Sequence, residues 1–135
     1  MGSWLRMPLR CLIVDDNDGF REEMGALLEE QGVSVVGGAA SGAEALERNA
    51  ELRPDVVLVD IDLGGENGVE LVTRLRQGLG PAGVPNVILI SGHDGSEYAD
   101  LIEASPALGF LAKTDLSAAT IRRMLSRVDN SFEPA

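Results

Sequence analysis

The chain has few residues of the kinds that bind transition metals or form crosslinks. Among its 135 residues it contains one cysteine and one histidine. Cys11 cannot form an internal disulfide, and its apolar neighbours are typical of a small buried side chain. His93 has no partner ligands for a metal ion, so we expect it at a solvated rim. These absences disfavour an internal disulfide and a histidine-based metal site.

Long apolar segments and a basic surface are also missing. No apolar run approaches the roughly 20 residues that a membrane-spanning helix needs. Residues 1–8 lack the apolar stretch and small-residue cleavage site of a signal peptide. Because the formal net charge is −11, we expect no direct binding to nucleic acid. A hydrophobic content of 44% is typical of one globular domain. Because a membrane span and a signal peptide are missing, we expect this domain in the cytoplasm with no membrane partner.

Short apolar runs alternate with amphipathic segments along the chain. This alternation predicts an α/β fold, a doubly wound five-stranded parallel sheet with helices on both faces. Nearly continuous apolar runs are typical of strands that are buried on both sides. We expect the strands at residues 10–14, 34–39, 56–59, 86–90 and 109–112.

Five groups of apolar side chains repeat at helical spacing, and we expect them to face the core. The groups are Phe20, Met24, Leu27 and Leu28; Ala43, Ala45 and Leu46; Val69, Leu71, Val72 and Leu75; Tyr98, Leu101 and Ile102; Leu116, Ile121, Met124, Leu125 and Val128. Residues that favour helix N-caps precede four of the groups: Asp16 or Asn17, Ser41, Asn67, and Asp115 or Ser117. We expect the domain to cover residues 9–128, with flexible ends at 1–8 and 129–135.

Polar side chains follow four of the five predicted strands. Ligands of such folds bind beyond the carboxyl ends of the strands, so these side chains mark the expected site. They are Asp15 and Asp16 after the first strand, Asp60 and Asp62 after the third, Ser91 after the fourth and Lys113 after the fifth.

The chemistry of these side chains indicates a phosphoryl site. Clustered carboxylates repel one another unless a cation lies among them, and Mg²⁺ is the hard cation that joins carboxylates to phosphoryl oxygens. An aspartate can attack phosphorus to form an acyl phosphate. Lys113 is the one lysine among 11 basic residues, and a compact ammonium suits a site that needs a point charge.

Four segments resemble the motifs of response-regulator receivers, the signalling switches of two-component systems: 12–16 (LIVDD), 60–68 (DIDLGGENG), 89–92 (LISG) and 109–113 (GFLAK). The resemblance runs from about Leu9 to Val128. It implies a chemotaxis-regulator-like (βα)5 fold, flavodoxin-like, with strand order 2-1-3-4-5. Thr114 stands where proline usually follows the family's lysine, as in receivers of the LuxR-type branch. Gly64 also replaces a common proline, which predicts a more mobile loop.

The resemblance implies a role for each residue of the site. Asp60 is the expected phosphoacceptor, with a histidine kinase, a phosphotransfer protein or a small phosphodonor as the source. Mg²⁺ is expected on Asp16, Asp60 and the backbone carbonyl of Asp62, with Asp15 joined through a water. Because such a domain only promotes its own modification and hydrolysis, we do not expect a conventional enzyme.

The resemblance also assigns the residues that respond to the phosphoryl group. Lys113 is expected to pair with it, and Ser91 to hydrogen-bond another of its oxygens. Phe110 matches the aromatic that moves when that hydroxyl moves, and small Gly92 leaves room for the group. Asp62 and His93 are expected to flank the path of the hydrolytic water.

Output is expected through the face formed by the fourth helix, the fifth strand and the fifth helix. Opposite charges there suit a phosphorylation-dependent homodimer or another charged partner. The acids of this face are Asp94, Glu97, Asp100 and Glu103, and the bases are Arg122, Arg123 and Arg127.

Other interpretations stay open at this point. Asp15 and Asp16 alone could cap a helix, Asp60 could belong to a turn, and Phe110 could be an ordinary core aromatic. The whole chain could be a phosphorylation-independent interaction module with a receiver-like fold. A flavodoxin-like cofactor binder is disfavoured, because Asp15-Asp16 stands where a phosphate-binding loop would follow the first strand. The chain could be a free-standing receiver or a part of a longer regulator.

Overall fold

The computed structural model describes residues 8–77, 86–92 and 98–131. In chain order the elements are β1 (Leu9–Val14), α1 (Asp18–Glu30), β2 (Val33–Ala39), α2 (Gly42–Leu52), β3 (Val56–Asp60), β4 (Asp62–Leu63), β5 (Glu66–Asn67), α3 (Gly68–Gln77), β6 (Asn86–Ser91), α4 (Ala99–Ala104), β7 (Gly109–Ala112) and α5 (Ala118–Ser131). A single 3-10 turn, Lys113–Asp115, lies between β7 and α5.

The main sheet has five parallel strands in the order β2-β1-β3-β6-β7. Numbered by the main strands alone, this is the predicted order 2-1-3-4-5, so the flavodoxin-like fold is confirmed. An antiparallel hairpin, β4–β5, spans residues 62–67 directly after β3. The sequence pattern does not predict this hairpin, because each of its strands has only two residues and no apolar alternation.

Alternate side chains of the central strands point into two separate apolar layers. In β1, Cys11 and Ile13 belong to the layer beneath α1 and α5, whereas Leu12 and Val14 belong to the layer beneath α2 and α3. This is why the strands read as continuous apolar runs, since a strand covered on both faces exposes neither. The helices therefore lie on both faces of the sheet, as predicted.

The strand ends differ by one residue from the predicted ones in a way that matters for the site. β3 includes Asp60 and β6 includes Ser91, whereas the predicted strands end at residues 59 and 90. Asp60 pairs in register with Ile90 of the neighbouring strand. Sheet hydrogen bonding therefore fixes the backbone of both polar residues.

Side-chain hydrogen bonds resolve the alternative helix caps. Asn17, not Asp16, caps α1 by accepting from the Phe20 amide at 3.0 Å. Ser117, not Asp115, accepts from the Thr120 amide at the start of α5. Ser41 and Asn67 cap α2 and α3 as predicted, since their side chains accept from the Glu44 and Val69 amides.

Three residues of the predicted apolar groups do not face the core. Leu27 and Leu101 are 39% and 49% exposed, and Ala43 is exposed as well. Helical spacing alone does not reveal the width of the covered stripe, and these residues lie beyond its edge. In α4, which has six residues, no residue is buried.

The predicted frayed tail is partly helical. The backbone of α5 continues to Ser131, three residues beyond the predicted end at 128. Residues 1–7 and 132–135 of the expected flexible ends lie outside the described residues, as does the side chain of Val128. No helix within 8–77, 86–92 and 98–131 is long and apolar enough to cross a membrane.

Candidate functional site

Three carboxylates meet at the carboxyl edge of the sheet. Each of Asp15, Asp16 and Asp60 offers one oxygen, and these atoms all lie within 4.8 Å of one another. β1 and β3 are adjacent parallel strands, so the residues that end them become neighbours. Asp15 and Asp60 are buried while Asp16 is exposed, which leaves an approach from solvent. We call these three residues the acid cluster.

The donor set of the acid cluster fits Mg²⁺. It consists of carboxylate oxygens alone, the ligands that this hard cation prefers, and it is open to water on one side. The predicted fourth group, Asp62, has an exposed side chain, and its amide donates to Asp60 Oδ1 at 3.0 Å. The backbone of Asp62 therefore lies next to the acid cluster, and its carbonyl stays a predicted ligand.

Lys113 directly follows β7, two strands away from β3, and its side chain reaches the acid cluster. Its Nζ lies 2.6 Å from Asp15 Oδ2 and 3.1 Å from Asp60 Oδ2. The same Nζ stands over the ring of Phe20, 4.1 Å from the ring centroid. An ammonium over an aromatic face is attracted by the ring quadrupole. The helical spacing of Phe20 predicts only a place in the core, and no spacing rule relates it to Lys113.

Burial and like charge shift the ionisation of the phosphoacceptor candidate. Burial, followed by the neighbouring charge of Asp15, raises the pKa of Asp60 to about 6, although the Asp62 amide and Lys113 act in the opposite direction. For Lys113, burial lowers the pKa, but hydrogen bonds to both acids outweigh it and leave the pKa above its usual value. Asp60 is therefore mostly ionised at neutral pH, and Lys113 is cationic.

Two glycines allow the backbone to approach the acids closely. A Cβ at Gly68 would overlap the backbone carbonyl of Asp60, so α3 can begin there only without a side chain. Gly64 adopts φ 55°, and a Cβ on it would lie 2.9 Å from Asp16 Oδ2. The close approach of the backbone explains why glycine occupies both positions, because the Cβ of any other residue would prevent it.

Ser91 and Phe110 lie on neighbouring strands. Ser91 ends β6 at 4% exposure and pairs in register with Ala112, one residue before Lys113. Phe110 pairs with Leu89 and is partly buried against the layer formed with α2 and α3. The structure thus brings Ser91 to the edge that carries the acid cluster. Phe110 lies two residues before Ala112 along β7 and so further from that edge. Gly92 is exposed, and a Cβ on it would meet nothing within 4 Å.

Several predicted residues of the output face lie outside the described residues. These are Asp94 and Glu97, together with the side chain of Arg127. Of the others, Asp100 and Glu103 are exposed on α4, and Arg123 is exposed on α5 beside half-buried Arg122. His93, predicted beside the path of the hydrolytic water, lies outside the described residues as well.

Comparison with known proteins identifies the family. Residues 11–126 match the response regulator receiver domain. The chain belongs to the response regulator receiver family. A receiver of a modulated diguanylate cyclase from Desulfovibrio desulfuricans is similar at 31% identity and TM-score 0.73, over 90% of this chain and 94% of that one. A LuxR-family two-component response regulator from an Aurantimonas species has 30% identity and TM-score 0.73, over 88% and 83%.

A sequence relative agrees with this family. An uncharacterised response regulatory protein of Vibrio cholerae is 34% identical over 121 residues, which are 87% of this chain and 48% of that protein. The chain spans about half the length of this and other curated relatives. The proteins that resemble this chain have different names. They share the receiver fold and the response-regulator family.

Proposed function

We propose that this receiver accepts a phosphoryl group on Asp60 in a Mg²⁺-dependent reaction and changes conformation to control an output domain or a protein partner. The observation that carries the proposal is the convergence of three carboxylates and Lys113 Nζ at one edge of the sheet. A purely structural ion pair consists of one acid and one base, so it does not account for the exposed third acid, Asp16.

Asp60 supplies the nucleophile. One carboxylate oxygen attacks phosphorus, the new O–P bond forms, and the bond from phosphorus to the donor breaks. From a phosphohistidine the departing group is imidazole, and from acetyl phosphate it is acetate. A pKa of about 6 keeps Asp60 ionised at neutral pH yet more basic than an ordinary aspartate, which favours attack.

Asp16, Asp60 and the carbonyl of Asp62 would hold Mg²⁺, with Asp15 joined through a water. When bound, the cation supplies charge that neutralises phosphoryl oxygens. The contact of Lys113 Nζ with Asp60 Oδ2, at 3.1 Å, supports a role for Lys113 in pairing with an oxygen of the incoming group. This role suits a compact point charge, which the ammonium of lysine provides and the planar guanidinium of arginine does not.

Ser91 and Phe110 are the proposed switch pair. Movement of the Ser91 hydroxyl toward modified Asp60 would vacate space that Phe110 can fill, and this difference in contacts is what couples the phosphoryl group to a conformational equilibrium. Asp62 and His93 are proposed to tune hydrolysis. The domain is proposed to span residues 9–128 and to act in the cytoplasm with a histidine kinase or phosphotransfer protein, without binding nucleic acid or acting as a conventional enzyme.

The test is incubation with Mg²⁺ and acetyl phosphate, followed by intact-mass measurement. We expect one added phosphoryl group on the wild type, none after chelation of Mg²⁺, and none on Asp60→Asn. Asp62→Asn is the matched control, because it removes a neighbouring exposed carboxylate and should still be modified. A wild-type protein that gains no phosphoryl group would instead support the phosphorylation-independent interaction module. Equal modification of Asp60→Asn would place the acceptor elsewhere.

A further inference from the structure

The β4–β5 hairpin contacts the acid cluster at two points. The Asp62 amide donates to Asp60 Oδ1 at 3.0 Å, and the backbone of Gly64 lies so near the Asp16 carboxylate that an added Cβ would be 2.9 Å from Oδ2. The position of the hairpin therefore decides where backbone groups lie beside two of the three acids. Its turn consists of two glycines, with φ 55° and 95°, so the turn itself contributes little rigidity.

Two side chains attach this hairpin to the rest of the fold. Leu63 is 1% exposed and belongs to the apolar layer beneath α2 and α3. Glu66 pairs with Leu63 across the hairpin. Its two carboxylate oxygens lie 3.1 and 3.3 Å from the amide nitrogen of Gly42, and both accept from it. The first attachment is apolar and buried, whereas the second is polar and joins the hairpin to α2.

Gly42 is the first residue of α2, where an amide has no partner within the helix. Ser41 caps the helix by accepting from the Glu44 amide, so it leaves the Gly42 amide for another acceptor. The positive end of the helix dipole also favours a carboxylate at this place. Glu66 therefore completes the N-terminus of α2 from a different part of the chain, 24 residues later.

The contact needs a residue without a side chain on the helix. A Cβ at Gly42 would lie 2.5 Å from Glu66 Oε1. An alanine there would be a better helix former than glycine, so the helix alone gives no reason for glycine. The present geometry makes the pair interdependent, because a Cβ at residue 42 would force the carboxylate of Glu66 to move from the position in which it binds the amide.

We propose that Glu66 is a positioning residue for the acid cluster. By binding the N-terminus of α2 it holds the hairpin so that Asp62 and Gly64 stay against Asp60 and Asp16, and it thereby raises the affinity of the cluster for Mg²⁺. The effect on Mg²⁺ rests on the proposed function. The effect on the hairpin concerns the folded chain alone and needs no cation.

The first experiment compares wild type with Glu66→Ala by amide hydrogen exchange, measured by NMR without metal, and then by titration with MgCl2. We expect faster exchange at the Gly42 and Asp62 amides in the variant, and weaker Mg²⁺ binding on the order of tenfold, as for other groups that orient metal ligands. The Glu44 amide, bonded to Ser41, is the internal control and should not change.

Glu70→Ala is the matched control for charge. Glu70 is exposed on α3, close in sequence to the hairpin, and its loss changes the net charge by the same amount. Glu66→Gln separates the hydrogen bond from the charge: its side-chain carbonyl can still accept from Gly42, so it should retain most of the protection. If Glu66 contributed only to overall stability, Glu66→Gln would not restore protection specifically at the Gly42 and Asp62 amides.

A double-mutant cycle with Gly42→Ala tests the pair from the other side. The added methyl group displaces the carboxylate, so Gly42→Ala should by itself reproduce the faster Asp62 exchange and the weaker Mg²⁺ binding. In a Glu66→Ala background the same change should cost little, because the contact is already gone. Fully additive effects of the two changes would overturn the proposal.

The proposal is also overturned if Glu66→Ala leaves Asp62 exchange at the wild-type rate, or if it weakens Mg²⁺ binding no more than Glu70→Ala does. Failure of the proposed function has a different signature. In that case the wild type itself would bind no Mg²⁺ and gain no phosphoryl group, while the exchange rates of Gly42 and Asp62 would still report whether Glu66 holds the hairpin.

Discussion

Asp60 has a raised pKa because it is buried beside Asp15, and this has a consequence for stability. The folded-state pKa of about 6 exceeds the ordinary value of 3.8, so the folded state binds the proton more tightly than the unfolded state does. Its contribution is therefore fully present below the unfolded pKa, and it is lost as pH rises through about 6. At neutral pH without Mg²⁺, ionised Asp60 is a cost to the fold.

We expect Asp60→Asn to raise the free energy of unfolding at pH 7.5 without Mg²⁺. The gain should be on the order of 1–2 kcal/mol, because one pKa unit corresponds to about 1.4 kcal/mol and solvent screening reduces the effect. It should shrink toward zero at pH 4, where the wild-type carboxyl is neutral. Urea unfolding at the two pH values checks this, with Asp62→Asn as control. An equal gain at both values would contradict the pKa argument.

Phe20 supports Lys113 through its ring face, 4.1 Å from the ammonium. We expect Phe20→Leu to slow phosphorylation by acetyl phosphate about two- to fivefold, since a cation–π contact contributes roughly 0.5–1 kcal/mol. Phe20→Tyr keeps an aromatic face and should retain the wild-type rate. The initial rate at saturating Mg²⁺ is the measurement, with melting temperature as a check on folding. Equal rates for Phe20→Leu and wild type would remove the ring from the mechanism.

At the scale of elements, the start of α3 is set by its contact with the end of β3. The Gly68 amide donates to the Ile61 carbonyl at 2.8 Å, and the helix then continues directly from the hairpin. Here the backbone of Gly68 packs against the backbone of β3, and a backbone cannot move aside as a side chain can. The carbonyl against which Gly68 packs is that of Asp60, so a side chain at position 68 would press on the backbone of a residue of the acid cluster.

We therefore expect Gly68→Ala to lower the free energy of unfolding by about 1–3 kcal/mol, as overpacked sites do. Gly25→Ala is the matched control: it lies within α1, and the nearest atom to its added Cβ would be 3.9 Å away. That change should stabilise by up to about 1 kcal/mol, because alanine is the better helix former. Chemical denaturation of both variants checks the prediction, and equal stabilities would contradict it.

At the scale of the molecule, the proposed output face joins α4, β7 and α5. It combines exposed Asp100 and Glu103 with Arg123, and the partly exposed apolar side chain of Leu101 lies between the two acids in sequence. Opposite charges on one face favour association between two copies. In the proposed mechanism, the effect of phosphorylation at Asp60 passes to this face through Ser91 and Phe110.

We expect beryllofluoride, a mimic of the phosphoryl group, to increase dimer formation and to change backbone NMR shifts at Phe110 and in α4. Arg123→Glu should weaken the dimer several-fold, and adding Asp100→Arg to it should restore part of the affinity. Sedimentation velocity in low and high salt is the measurement. Shift changes confined to the ends of β3 and β6, with no added dimer, would contradict this account of output.

The class of fold and the composition of the acid cluster follow from local sequence, whereas the order of the strands is implied by the resemblance to receivers. Apolar runs alternate with amphipathic segments, and polar residues follow the strands. In a parallel sheet those ends share one edge, so the sequence is enough to predict Asp60, the two acids after β1 and Lys113 as neighbours. The sequence also limits each N-cap to one or two candidate residues, because a cap bonds an amide only two or three residues further along the chain.

Tertiary structure alone decided the contacts that have no fixed spacing along the chain. Phe20 under Lys113 and Glu66 on Gly42 each join separate elements, and no periodicity relates their positions. The hairpin escapes prediction because two-residue strands leave no pattern, and exposed Leu101 is misassigned because spacing does not show how much of a helix is covered. Local sequence determines which element forms and which side faces inward. Where two elements touch depends on packing across the whole chain, and the positions that hold the acid cluster in place are of this second kind.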